Sequence, residues 1–265
     1  MKNINWSELG FGYFKTDYNV RCEYKDGKWG ELYATEDVNM NIHMASTCLH
    51  YGQEVFEGLK AFRGADGKVR LFRVEENAKR MINSGEYLKM AVPSVELFTK
   101  ACIEAVKLNA DYIPPYGSGA SLYLRPMLIG VGPQVGVKPS ADYLFAVFVT
   151  PVGPYYKDGF NCIKVIIDYD HDRAAPKGTG HVKVGGNYAA SLYSGEIAHQ
   201  KGFASVIFLD PATKQYIDEC SAANFFGIRD GKYITPDSHS VLPSITNKSL
   251  RQIAEDLGLK VEQRK

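Results

Sequence analysis

Two apolar runs constrain the fold more than anything else in the chain. Residues 121–129 and 143–150 read as strands, and the Gly- and Pro-rich residues 130–140 separate them. The first run contains Arg125, and a charge inside an apolar strand needs a reason to be there. The richest apolar stretch, 143–152, is interrupted by Thr150 and Pro151. No run therefore reaches the roughly 18 apolar residues of a membrane-spanning helix. With 31 basic and 30 acidic side chains among 265 residues, the net charge of +1 gives no electrostatic reason to bind nucleic acid or an anionic membrane surface. Five widely spaced cysteines, with no CxxC pair, fit reduced thiols in a cytoplasmic setting, and residues 1–6 show no export signal.

Around this pair the pattern is mixed α and β. A strand over 69–73 leads into a helix over 74–88, where Val74, Ala78, Met81, Gly85 and Leu88 share one face. A second helix spans 95–108 behind Ser94, a good N-cap. Residues 151–159 concentrate turn formers and read as a linker. After it come a strand (162–169), a polar Gly-rich segment (174–186) and a helix (187–200). Short strands follow at 205–209, 215–219, 224–228 and 232–235, then a helix (246–257) and the start of a strand (259–262). The expected organisation is a small N-terminal α/β domain (1–150), an interdomain loop (151–159) and a larger domain (160–265) that is cut short.

Several familiar chemistries find no support. The six histidines form no HExxH and no His/Cys cluster, so no metal site is expected. Asp168-Tyr169-Asp170-His171-Asp172 imitates a calcium loop. However, Arg173 stands where the turn glycine belongs and Thr179 where the closing glutamate belongs, which leaves a polar loop. Gly130-Val131-Gly132-Pro133 lacks the third glycine of a dinucleotide fingerprint, and neither GxxxxGK[ST] nor GxSxG occurs.

Four other features can carry chemistry, each with an ordinary alternative. Lys183 precedes Gly185-Gly186 and a helix; it is either a solvated loop lysine or a nucleophile activated by its neighbours. Glu219 lies between two apolar strands, as a turn carboxylate or as a buried acid with a partner. Leu242-Pro243-Ser244-Ile245-Thr246 runs into a helix, giving either a plain cap or an anion site. Arg80 lies off the apolar stripe of its helix, where it reaches a phosphate or faces water.

Taken together, four separated motifs resemble the branched-chain amino acid aminotransferases, which are fold-type IV pyridoxal-phosphate enzymes. They are Tyr51-Gly52-Gln53-Glu54-Val55-Phe56-Glu57-Gly58-Leu59-Lys60, Tyr123-Leu124-Arg125-Pro126, Lys183 to Tyr188, and Glu219 to Phe226. The resemblance implies the two-domain architecture of that class and reversible transamination of Leu, Ile and Val with 2-oxoglutarate, in branched-chain amino-acid biosynthesis. It implies that Lys183 holds the pyridoxal 5′-phosphate aldehyde and moves the Cα proton, and that Glu219 faces the pyridine nitrogen. Tyr188 would bond the ring's phenolate oxygen, while Arg80, Ile245 and Thr246 would hold the phosphate. Tyr51, Phe56 and Tyr123 would wall the substrate pocket, and Arg125 would meet the glutamate γ-carboxylate. A cytoplasmic homodimer is expected on the same ground. The nearest rivals are D-amino acid aminotransferase and aminodeoxychorismate lyase of the same fold class, or an inactive form that only binds partners. Family members continue for several dozen residues past Lys265: either the chain is shortened or its remainder is not included, and only if it ends at Lys265 are an unfinished sheet edge, an incomplete site and weak or absent activity expected.

Overall fold

The computed structural model describes residues 2–155 and 161–264, and the chain divides into two compact units between Asn161 and Cys162. Positions 156–159 of the expected linker lie outside the described residues.

Unit 1 contains β1 (Asn19–Lys25), β2 (Lys28–Trp29), β3 (Tyr33–Thr35), α1 (Thr47–His50), β4 (Glu54–Phe56), β5 (Leu59–Arg63), β6 (Val69–Leu71), α2 (Val74–Tyr87), α3 (Val95–Leu108), β7 (Ser121–Gly130) and β8 (Tyr143–Val152). The two apolar runs are the central strands of one sheet, in the order β2-β1-β8-β7-β5-β6, with β3 added on β1 and β4 on β7. The β8 strand outlasts its expected end by two residues, because Pro151 and Val152 still pair with Leu122 and Ser121. The α3 helix has the expected bounds, and the Ser94 side chain accepts the Leu97 amide at 3.1 Å.

Period-two alternation sorts β7 into two faces. Leu122, Leu124 and Leu128 are fully buried, as are Ala78, Met81, Phe98 and Ala101 of α2 and α3, and these form the core. Tyr123, Arg125 and Met127 take the opposite face. Antiparallel register adds Lys60 opposite Tyr123, Phe56 opposite Met127 and Phe148 opposite Arg125.

The helix side also holds a charge. Glu57, between β4 and β5, has no exposed surface. Its carboxylate accepts from Arg80 Nε (2.7 Å), another Arg80 nitrogen (2.8 Å), Asn77 Nδ2 (2.7 Å) and the Gly58 amide (3.2 Å). Arg80 thus neither faces water nor stands apart from protein acceptors, since its fork is engaged by an acid that local pattern did not single out.

Unit 2 contains β9 (Val165–Asp168), α4 (Gly185–Gln200), β10 (Ser205–Leu209), β11 (Ile217–Cys220), β12 (Gly227–Arg229), β13 (Lys232–Pro236), α5 (Ile245–Asp256) and β14 (Lys260–Arg264). Two parallel pairs, β9 with β10 and β13 with β14, are each joined through a helix. The β11 strand pairs antiparallel with β10, and β12 with β13. Ala198, Val206 and Phe208 form a buried cluster with Ile166 and Phe203 against it. The β9 strand is shorter than the expected 162–169 because its ladder with β10 covers only Val165 to Asp168. The strand expected at 224–228 begins at Gly227, where the ladder with β13 starts opposite Ile234, and the Asn224 side chain donates to Glu219 and the Leu242 carbonyl.

Removing one member of a buried ion pair strands the other. Glu57→Ala is expected to cost about 3–5 kcal/mol in urea unfolding monitored by circular dichroism, and a loss below about 1 kcal/mol contradicts that account.

Candidate active site

The lysine loop is held by apolar and amide anchors. Val182 and Val184 are buried, and Lys183 lies between them with partial exposure. Asn187, buried in the first turn of α4, donates to the Thr179 and Val182 carbonyls at 2.7 and 3.0 Å and accepts from Thr179 Oγ1 at 2.7 Å. These bonds fix the loop against its own helix and turn Lys183 toward Tyr188. Lys183 Nζ donates to the Tyr188 hydroxyl at 2.5 Å and lies 4.8 Å from that ring's centroid. Lys183 is therefore not a solvated loop lysine.

Glu219 departs from the turn carboxylate that its local sequence favours. It is a strand residue on β11, 5% exposed. Its Oε1 accepts from Asn224 Nδ2 at 2.8 Å; its Oε2 accepts from the Leu242 amide at 3.1 Å and pairs with Arg173 at 2.7 Å. Burial pushes its carboxyl up to about 7, against the opposing pull of Arg173, the Leu242 amide and Asn224. Asp218 beside it is also buried and raised by burial.

The α5 start is capped by Ser244, whose hydroxyl accepts the Asn247 amide at 3.1 Å. The Ile245 and Thr246 amides lie ahead of the first intrahelical bond, where a helix offers donors and a positive end. Asn247 continues the polar network, donating to Asn224 Oδ1 at 3.1 Å and Thr235 Oγ1 at 2.9 Å.

In unit 1 the structure brings Phe56, Tyr123 and Arg125 together. Arg125 donates to the Tyr123 hydroxyl at 3.0 Å, and its guanidinium carbon lies 4.7 Å from the Phe56 ring centroid and 5.4 Å from that of Tyr123. Its Nε is buried and has no acceptor among the described residues. A Cβ at Gly58 would overlap the Tyr123 hydroxyl, so the glycine is what admits this arrangement. Tyr51 is exposed, stacks on His50 at 4.3 Å and donates to the Val135 carbonyl. Arg80 is aimed by Glu57 as described above.

Four residues with structural parts in these sites escaped the sequence reading: Arg173, Asn187, Asn224 and Glu57. Asn187, Asn224 and Glu57 lie inside the recognisable motifs. Arg173 gave no local signal beyond spoiling a calcium loop.

A lysine beside a phenol, a buried acid with raised proton affinity and a helix start ahead of its first bond are together the donor set a pyridoxal phosphate needs. The family model for class IV amino-transferases matches residues 54–265. The chain is 53% identical over 266 residues to the branched-chain-amino-acid aminotransferase of Haemophilus influenzae, covering 98% of this chain and 77% of that protein. It is 52% identical over 267 residues to the enzyme of the same name from Helicobacter pylori, covering 100% and 78%. Among solved structures, the Escherichia coli branched-chain amino acid aminotransferase superposes with a TM-score of 0.76 at 28% identity, over 94% of this chain and 78% of that one. The branched-chain aminotransferase of the thermophilic archaeon Thermoproteus uzoniensis, solved with norvaline, gives 0.73 at 25% identity, over 92% and 77%. The chain belongs to the class IV aminotransferases and, within them, to the branched-chain-amino-acid aminotransferase family. Among the described residues no helix is long and apolar enough to cross a membrane.

The raised carboxyl of Glu219 has a consequence with a definite sign. Between its ordinary value and about 7 the folded chain binds more protons than the unfolded one, so stability falls as pH rises through that window. In the cofactor-free protein, the wild-type melting temperature is expected to drop from pH 5 to pH 7.5 relative to Glu219→Gln. A difference that stays constant with pH contradicts this.

Proposed function

We propose that the protein reversibly transfers the amino group of leucine, isoleucine or valine to 2-oxoglutarate, giving the branched-chain 2-oxo acid and L-glutamate, with pyridoxal 5′-phosphate as cofactor. The observation that carries this is the Lys183 amine against the Tyr188 phenol, in the same unit as a buried Glu219. When bound, the cofactor supplies an aldehyde to accept the amino group and a ring to take up the electrons left at Cα.

The chain's own residues divide the remaining work. Lys183 Nζ holds and returns the Cα proton, and Tyr188 sets the orientation of that amine. Glu219 would face the ring nitrogen, where the negative charge of its carboxylate would favour the protonated, positive ring. Ile245 and Thr246 give backbone donors to the phosphate, and Arg80, oriented by Glu57, gives a guanidinium. Tyr51, Phe56 and Tyr123 supply apolar surface for a branched side chain. The Arg125 guanidinium offers a charged partner to the γ-carboxylate of glutamate or 2-oxoglutarate. One pocket thereby takes both an aliphatic and an acidic side chain. The resemblance further gives a cytoplasmic homodimer, which sedimentation and cell fractionation check.

Steady-state assays with L-leucine, D-alanine and aminodeoxychorismate test the assignment. Turnover of L-leucine with 2-oxoglutarate is expected, and exclusive turnover of either other substrate overturns it. Lys183→Ala is expected to lose at least about 10²–10⁴-fold in kcat. Arg125→Met should raise KM for 2-oxoglutarate about 10–100-fold, as the loss of a charged hydrogen bond of about 1.5–3 kcal/mol requires, and leave KM for leucine within a few-fold. Equal effects on both substrates contradict the role given to Arg125.

A further inference from the structure

Arg173 lies in the segment between β9 and α4 and is 8% exposed. One of its terminal nitrogens donates to the Gly180 carbonyl at 3.0 Å and to the Ser240 carbonyl, and pairs with Glu219 Oε2 at 2.7 Å. These three acceptors belong to the segments that carry the candidate chemistry. Gly180 is three residues ahead of Lys183. Ser240 is two ahead of Leu242, whose amide donates to the same Glu219 oxygen, and four ahead of Ser244, the cap of α5. The 180 and 240 backbones touch directly: a Cβ on Gly180 would overlap the Ser240 carbonyl oxygen and come within 2.6 Å of its Cα. The guanidinium lies across that contact.

Stability alone is a poor reason for such a group. A buried ion pair roughly breaks even against apolar packing of the same volume, whereas a buried carboxylate aimed at a ligand needs both a fixed direction and a compensating charge. Arginine suits this task because one planar terminal nitrogen carries two N–H groups on a charge that is never lost.

We propose that Arg173 is a positioning residue for the cofactor: it fixes the direction of the Glu219 carboxylate, supplies the positive charge that keeps it anionic opposite a ring nitrogen, and ties the lysine loop to the segment leading into α5. This rests on the proposed role of Lys183 and Glu219. Asp218, next to Glu219 and also within the electrostatic reach of Arg173, is the other carboxyl whose charge the guanidinium offsets.

The test compares Arg173→Met, Arg173→Lys, Glu219→Gln and the Arg173→Met/Glu219→Gln double variant with the wild type. Two quantities are read: the dissociation constant for pyridoxal phosphate, and the pH midpoint of the long-wavelength absorbance band that forms on adding it. Arg173→Met is expected to weaken cofactor binding about tenfold or more and to move the midpoint by about one unit, in the same direction as Glu219→Gln. In the Glu219→Gln background it should move the midpoint no further, because its effect runs through the carboxylate. Arg173→Lys keeps the charge and loses the planar guanidinium that reaches both carbonyls, so its midpoint should stay near the wild type while its cofactor-free melting temperature falls. If Arg173→Met does not fold, Arg173→Lys decides: a midpoint displaced as far as that of Glu219→Gln overturns the proposal. A wild-type midpoint and affinity in Arg173→Met, or equal shifts in both backgrounds, also overturns it. Failure of the underlying site looks different: the wild type then forms no such band, or Lys183→Ala retains it.

Discussion

An acid buried in a protein interior is costly unless donors surround it, and the second unit is arranged around that requirement. Glu219 finds its donors in three separate stretches: Arg173 ahead of α4, Asn224 beyond β11 and the amide of Leu242 ahead of α5. Satisfying one carboxylate therefore draws together the lysine loop, the strand and the helix start. Burial still prevails over these partners, since the carboxyl remains raised toward 7.

The first unit solves the same problem in a drier place. Glu57 and Arg80 form a closed pair with Asn77 on the helix side of the sheet, so the arginine is held in one direction by a carboxylate that water does not reach. On the other face of the sheet, strand alternation gathers the Phe56 and Tyr123 rings around Arg125.

What the sequence made legible follows from how local each signal is. The α3 helix and its Ser94 cap are written in neighbouring residues, and so are the apolar faces of α2 and of β7 and β8. Of the strands before residue 69, β2, β3 and β4 are only two or three residues long, and β1 and β4 also pair with residues far along the chain (Val20 opposite Val147, Val55 opposite Leu128), which no short window of sequence contains. Glu219 shows the same limit from the other side. Its neighbours suggest a turn, and only the distant Arg173 and Leu242 make a buried strand position tolerable. Recognition of the family bridged that gap for Lys183, Tyr188 and Glu219, because motif resemblance carries non-local information that periodicity lacks. Arg173 lay outside every quoted motif, and nothing beside it in the chain announces what it touches.

The central claim is that Lys183 is the amine that holds the cofactor. Reducing the pyridoxal-phosphate-loaded protein with borohydride, digesting it and mapping the modified peptide by mass spectrometry tests this directly. The account predicts a single phosphopyridoxyl adduct on Lys183. An adduct confined to another lysine, such as Lys60, or no adduct at all, contradicts it.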